Sequence, residues 1–148
     1  MDNKSAQIHV IGINASSIES FSEAKEKLIL NAERIAAPKR FLDPLKIWLK
    51  TKKKTNFCPE FYSTGKLQNL ISWIKKEDKK TIIFSSGDPL WFGIGRLLIQ
   101  NFPLSKLSFD PAPTSFQLAF SRLGKPWQDT KWISIHGRDP VAFNKIIQ

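Results

Sequence analysis

The residues best suited to act on a ligand stand together in Gly87-Asp88-Pro89. Glycine lets a bound molecule approach the backbone, aspartate offers a carboxylate, and proline fixes the exit direction while withholding a donor. On spacing alone the same three residues make an ordinary strand-to-helix turn. Other chemistry is thinly supplied. The one cysteine, Cys58, has no basic partner nearby in sequence to make it a thiolate and reads as a packed or half-exposed thiol. One cysteine and two histidines are too few for a zinc site, so no metal is expected. His9 lies inside an apolar run and reads as a hydrogen-bonded core residue rather than a ligand.

The elements around the turn say where it must sit. Thr81-Ile82-Ile83-Phe84 is a β-branched and aromatic run of the kind buried on both faces of a sheet. The turn formers Ser85-Ser86-Gly87-Asp88-Pro89 stop it, and Ile94, Leu97 and Leu98 then share one helical face. Strand, tight turn and helix place a ligand site at the carboxyl end of a parallel sheet.

A chain of 148 residues suffices for one core and only a small second domain. Its 41% hydrophobic content, with eleven Phe and five Trp, argues for packed globular structure rather than disorder. No apolar run approaches the ~20 residues of a membrane span, and Met1-Asp2-Asn3-Lys4 does not open a secretory signal, so a soluble cytoplasmic protein is expected. The net charge of +10, with lysines crowded between Lys46 and Lys80, would attract nucleic acid, an anionic membrane face or a polycarboxylate small molecule. A solvated lysine-rich surface is the plain alternative, and charge alone does not choose.

In chain order, Ile8 to Ile13 reads as a first buried strand running into the loop Gly12-Ile13-Asn14-Ala15-Ser16-Ser17. Ser20 and Glu23 fit a capping box, which predicts a helix from about Phe21 to Asn31 with Ala24, Leu28 and Ala32 on its apolar face. Arg34-Ile35-Ala36-Ala37 is a second strand, ended by Pro38. Lys39 to Glu60 is the least legible part: Phe41, Leu42, Leu45, Trp48 and Leu49 have helical spacing, interrupted by Asp43-Pro44. Phe57 to Tyr62 reads as a short extended piece. Leu67, Leu70, Ile71 and Ile74 make an amphipathic helix with Trp73 on its shoulder. Leu107-Ser108-Phe109 is a strand, Pro111-Ala112-Pro113 a stiff linker, and Phe116, Ala119, Phe120 and Leu123 a helix stopped by Gly124. Lys131 to Ile135 is read as a strand and Val141 to Ile147 as the start of another helix. The alternation predicts an α/β protein with a mainly parallel sheet and flanking helices.

Three blocks carry a resemblance. Ser85-Ser86-Gly87-Asp88-Pro89-Leu90-Trp91-Phe92-Gly93-Ile94-Gly95-Arg96 is followed by Pro111-Ala112-Pro113-Thr114-Ser115-Phe116-Gln117-Leu118-Ala119-Phe120-Ser121-Arg122-Leu123-Gly124, then by Trp127-Gln128-Asp129 leading to Ser134-Ile135-His136-Gly137-Arg138. In this order they resemble the tetrapyrrole (corrin/porphyrin) methylases, and within them the C5-methylating part of the precorrin-6Y methyltransferases of cobalamin synthesis. The resemblance implies S-adenosylmethionine as methyl donor, a two-domain α/β fold holding it in a cleft, and a carboxylate-fringed precorrin or cobalt-precorrin acceptor. A basic surface would steer such a polyanion. The nucleophile would be a carbon of the macrocycle, so no protein nucleophile is required and the catalytic residues stay unassigned.

By matched position the resemblance assigns donor contacts to Gly12, Ala15, Gly87, Asp88, Trp91, Thr114, Ser115 and Phe116, and an acceptor carboxylate contact to Arg138. Asp88 could instead, or also, serve as a turn-stabilising carboxylate, and Arg138 as a surface ion pair. Relatives carry further glycines in the first loop where this chain has Asn14, a residue that tolerates a left-handed backbone. The implied division is 1–110 as the N-terminal methylase domain, 111–116 as linker, and 117–148 as the beginning of a second domain that looks truncated. A truncated inactive remnant or assembly partner, a homodimer, or a second chain supplying the missing domain are the competing expectations. A nucleic-acid-binding module built on the lysines, with Trp48 and Trp73 among them, has no recognisable reading motif.

Overall fold

Ile8, Val10, Ile11 and Ile13 are all buried, as a strand covered on both faces requires, and they form the second-innermost strand of a five-stranded parallel sheet. A computed structural model describes residues 7–14, 21–52 and 58–131. Its elements run β1 (Ile8–Ile13), α1 (Glu23–Leu30), β2 (Arg34–Ala36), α2 (Lys39–Lys52), β3 (Glu60–Tyr62), α3 (Leu67–Lys75), β4 (Thr81–Ser86), α4 (Gly95–Asn101), β5 (Leu107–Asp110) and α5 (Ser115–Leu123). The strand order is β3-β2-β4-β1-β5. β1 pairs with β4 from Ile8↔Thr81 to Ile13↔Ser86, and with β5 from Ile8↔Leu107 to Ile11↔Asp110. The chain separates into a unit up to Ser115 and a unit from Phe116 onward.

Alternation along the strands splits the core in two. Ile11, Ile13, Ile35, Ile82 and Phe84 pack with Ile29 of α1 and Leu45, Trp48 and Leu49 of α2. Val10, Ala36 and Ile83 pack on the other face with Leu70, Ile71, Trp73 and Ile74 of α3 and Leu98 of α4. The chain leaving β1 and β2 therefore turns toward one face, and the chain leaving β4 turns toward the other. β4 lies between β2 and β1, so its carboxyl end is the switch point at which neighbouring loops part and open a crevice.

The parallel α/β architecture matches the expectation, and several local readings need correction. The cap of α1 is Ser22, whose Oγ accepts from Lys25 N at 3.4 Å, so the helix starts at Glu23; Ser20 lies outside the described residues. Its buried residue is Ile29, whereas Ala24 and Leu28 are exposed, so the face carrying Ile29 meets the core; Ala32, just beyond the helix, is buried as expected. α2 continues through Pro44, inside the helix, where the missing N–H removes one hydrogen bond to the preceding turn. Trp73 is 9% exposed and belongs to the core rather than its shoulder. Cys58 is exposed. The strand beginning at Lys131 and the helix from Val141 lie outside the described residues. No helix among the described residues is long and apolar enough to cross a membrane.

Trp73 is buried because it covers a charge. Arg34, at the start of β2, is wholly buried: its Nε donates to Glu60 Oε2 at 3.1 Å and its guanidinium lies 3.7 Å from the Trp73 ring centroid. Trp73 Nε1 donates to Glu60 Oε1 at 2.7 Å, and Tyr62 stacks on Trp73 at 4.8 Å. Glu60 thus ties the edge strand β3 to β2 and α3 through both of its oxygens. Glu60→Ala removes the carboxylate paired with the guanidinium and is expected to destabilise the fold by about 2 kcal/mol, below the range for fully buried pairs because the Glu60 side chain is 48% exposed. Urea denaturation checks it; a loss under about 0.5 kcal/mol would mean the pair is ornamental.

Candidate functional site

Gly12, near the carboxyl end of β1, has no room for a side chain. A Cβ there would stand 2.0 Å from the Gly87 carbonyl oxygen, 2.6 Å from Ala112 N and 3.2 Å from the Asp110 carbonyl oxygen. Three segments thus meet backbone to backbone at this point: the end of β1, the turn after β4, and the chain after β5. Hydrogen bonds close the contact, with Gly87 N donating to Ile13 O at 2.9 Å and Ala112 N to Gly87 O at 3.4 Å. Gly87 itself takes φ 65°, and its Cβ position lies 3.2 Å from Thr114 Cα. Thr114 is buried against it, so the stiff Pro111-Ala112-Pro113 segment delivers a threonine onto the turn.

Asp88 shapes the turn directly. Its Oδ1 accepts from Leu90 N at 2.8 Å, and its carbonyl accepts from Trp91 N at 3.2 Å. This is the turn-stabilising role, and it leaves Oδ2 without a hydrogen bond among the described residues. Pro89 is buried, and its carbonyl accepts from Gly95 N at 2.8 Å, winding the segment back to start α4. The tight winding pushes Leu90, Trp91 and Phe92 outward, at 53%, 42% and 53% exposure, with the Trp91 and Phe92 rings edge to face at 5.0 Å. Phe92 has φ 50°, and it rather than Asn14 is the non-glycine residue with a left-handed backbone among the described residues. Such strain persists only where the surroundings hold it, and it clusters at ligand sites.

Ser85 Oγ is buried at the end of β4 with no hydrogen-bond partner among the described residues, a deficit of about 1–3 kcal/mol that a polar ligand or water would relieve. Orphan hydroxyl, open carboxylate oxygen and close-packed backbone suit a small polar molecule lying on the turn. The structure therefore groups Gly12, Gly87, Asp88 and Thr114, with Trp91 exposed beside them and Ser115 exposed at the start of α5. Phe116 belongs to the second unit, where its ring meets Trp127 at 5.5 Å. Ala15 and Arg138 lie outside the described residues. A separate open groove of about 550 Å³, lined by His9, Lys27, Leu28, Ser108 and Asp110, faces α1 and does not include Gly87 or Asp88.

The charge at this edge differs from what the lysine count suggests. All strands are parallel, so Lys75, Lys76, Lys79 and Lys80, which precede β4, stand at the amino edge, about 20 Å away across the six residues of β4. There Glu77 is held below its ordinary range by a hydrogen bond from Lys79, and Asp78 by one from Lys106. At the carboxyl edge, Lys25 pairs with Asp110 at 3.0 Å, and Arg40 of α2 donates through Nη2 to Ser86 Oγ. Sequence reading passed over Arg40 and Ser85. Arg40 was recoverable from topology alone, as a basic residue directly after β2, on the edge where β4 also ends. Gly12→Ala is expected to destabilise by about 3 kcal/mol, since backbone must move, and Gly87→Ala by about 1–2 kcal/mol. Urea unfolding of both variants checks the order; a Gly12→Ala variant as stable as the parent would contradict the packing.

Comparison with known proteins gives the family. The family model of Tetrapyrrole (Corrin/Porphyrin) Methylases matches residues 7–145. The chain is 29% identical over 129 residues to a Sinorhizobium protein named precorrin-6Y C(5,15)-methyltransferase [decarboxylating], covering 87% of this chain and 30% of that one. It is 28% identical over 139 residues to the cobalt-precorrin-7 C(5)-methyltransferase of Salmonella typhimurium, covering 93% of this chain and 64% of that one. The chain thus spans less than two thirds of the length of both relatives. Among solved structures, the methyltransferase CobJ superposes with a TM-score of 0.66 at 14% identity, over 97% of this chain and 62% of its own. A precorrin-6Y methylase from Archaeoglobus fulgidus superposes with a TM-score of 0.63 at 21% identity, over 91% and 66%. A family match over almost the whole chain, on a fold that these structures share, makes the chain a member of the tetrapyrrole (corrin/porphyrin) methylases.

Proposed function

We propose that this chain serves an S-adenosylmethionine-dependent methyltransferase that methylates C5 of a precorrin or cobalt-precorrin in cobalamin synthesis, in the cytoplasm. The observation that carries the reading is the Gly87-Asp88-Pro89 turn at the switch point of the sheet, in a chain of the methylase family. The names of the relatives in Sinorhizobium and Salmonella supply the acceptor class and the ring position.

When bound, S-adenosylmethionine supplies a methyl electrophile on a sulfonium, and displacement at that carbon depends on alignment and exclusion of water. The chain's own residues would do the positioning. The Gly12 and Gly87 backbones and Thr114 form a fixed floor, Asp88 Oδ2 accepts from a donor N–H or O–H, and Trp91 flanks the turn with an exposed ring. Ser115 and Phe116, by their match to the family, and Ala15 in the first loop complete the proposed donor contacts. Arg138 is the proposed partner of an acceptor carboxylate. None of these groups needs to act as a nucleophile.

Calorimetric titration of the chain with S-adenosylmethionine is expected to give saturable heat. Asp88→Asn keeps an acceptor for Leu90 N while removing the charge, and should weaken binding about tenfold, or 1.4 kcal/mol, with the melting curve unchanged. No heat at millimolar donor from the folded parent would refute the reading.

A further inference from the structure

We infer that Arg40 is a carboxylate-recognising residue of the acceptor site, standing on the opposite flank of the β4 turn from Gly12. The inference rests on the acceptor reading above, because it assumes that the ligand at this edge carries carboxylates. β4 lies between β1 and β2, and its chain leaves toward one face while both neighbours leave toward the other. The turn is therefore flanked by two crevices. The β1 side is closed by backbone packing at Gly12. The β2 side carries Arg40, the second residue of α2.

Three observations single out this side chain. First, Arg40 Nη2 donates to Ser86 Oγ, the residue immediately before Gly87, which tethers the guanidinium at the turn. Second, no carboxylate forms an ion pair with it among the described residues, exposed Asp43 three residues on in α2 included. Lys25, on the same edge, is by contrast paired with Asp110. Third, the guanidinium lies 4.7 Å from the Phe41 ring centroid, so one face is backed by an aromatic ring while Arg40 stays exposed. A guanidinium carries five N–H donors in a planar fork, and a single hydroxyl engages one of them. The remainder suits a bidentate carboxylate. Lys39 and Arg96 also stand exposed at this edge, at the starts of α2 and α4, and raise the local potential without a tether to the turn.

The lysines that precede β4 cannot serve in its place. Lys75, Lys76, Lys79 and Lys80 precede β4 and stand at the far end of the sheet. Recognition by Arg40 is therefore a matter of position rather than of net charge, and this separates it from nonspecific attraction.

The probe is uroporphyrin, an octacarboxylate tetrapyrrole, titrated by fluorescence quenching at fixed 0.15 M salt against the parent chain, Arg40→Gln, Arg40→Lys and Lys76→Gln. Arg40→Gln and Lys76→Gln change net charge equally, at opposite edges. The expected result is binding about tenfold weaker in Arg40→Gln, less than twofold weaker in Lys76→Gln, and intermediate in Arg40→Lys, which keeps the charge but loses the fork. S-adenosylmethionine binding should stay within twofold in all of them, and that separate titration reports on the donor reading alone. Equal weakening in Arg40→Gln and Lys76→Gln, or no uroporphyrin binding by the parent chain, overturns the inference even when the donor binds.

Discussion

Three stretches of backbone approach one another at Gly12 more closely than any side chain would allow. The end of β1, the turn after β4 and the segment after β5 meet there, and the Gly87 carbonyl occupies the place of a Cβ. Much else follows from this contact. Gly87 must adopt a left-handed backbone to bring its carbonyl in, Pro111 to Pro113 must run close enough for Ala112 to donate to it, and Thr114 is then pressed onto the turn. A rigid floor of main-chain atoms results, at the place where a parallel sheet puts its ligands.

The contact also explains why the apolar residues after the turn are exposed. Pro89 and Gly95 close a tight loop, and Leu90, Trp91 and Phe92 have no core to enter. Phe92 accepts a strained backbone in consequence. Strain, an orphan hydroxyl at Ser85 and an open carboxylate oxygen at Asp88 gather within a few residues of each other, while near the other end of the sheet Glu60 joins Arg34 to Trp73 through both oxygens and Arg34 Nη2 is left without a hydrogen-bond partner among the described residues.

The sequence was informative where periodicity is strong. β4, α3 and the alternation of strands and helices were legible because buried parallel strands and amphipathic helices leave simple patterns, and the Gly-Asp-Pro turn was legible because each of its residues has a backbone consequence. Less was legible where tertiary contacts decide. The buried face of α1 was misjudged because Leu28 and Ile29 are adjacent aliphatic residues and only packing against α2 chooses between them. Trp73 looked marginal because its partner Arg34 lies 39 positions earlier and a buried cation leaves no sequence signature. The lysine count left a steering surface and a plain solvated one undecided, and the direction of β4 places Lys75, Lys76, Lys79 and Lys80 at the far edge. Arg40 was passed over for the same reason in reverse: it stands in a stretch of weak pattern, and only the strand order β2-β4-β1 brings it beside Ser86.

The central claim is one of location, that a methyl donor lies on the floor formed at Gly12, Gly87 and Thr114. Amide chemical-shift mapping of the isotope-labelled chain during titration with S-adenosylmethionine reads location directly. The account predicts the largest shifts at Gly12, Gly87, Leu90, Ala112 and Thr114, with the amides of Lys75 to Thr81 unmoved. Shifts concentrated at that amino edge, or along the His9 and Ser108 groove, would contradict it.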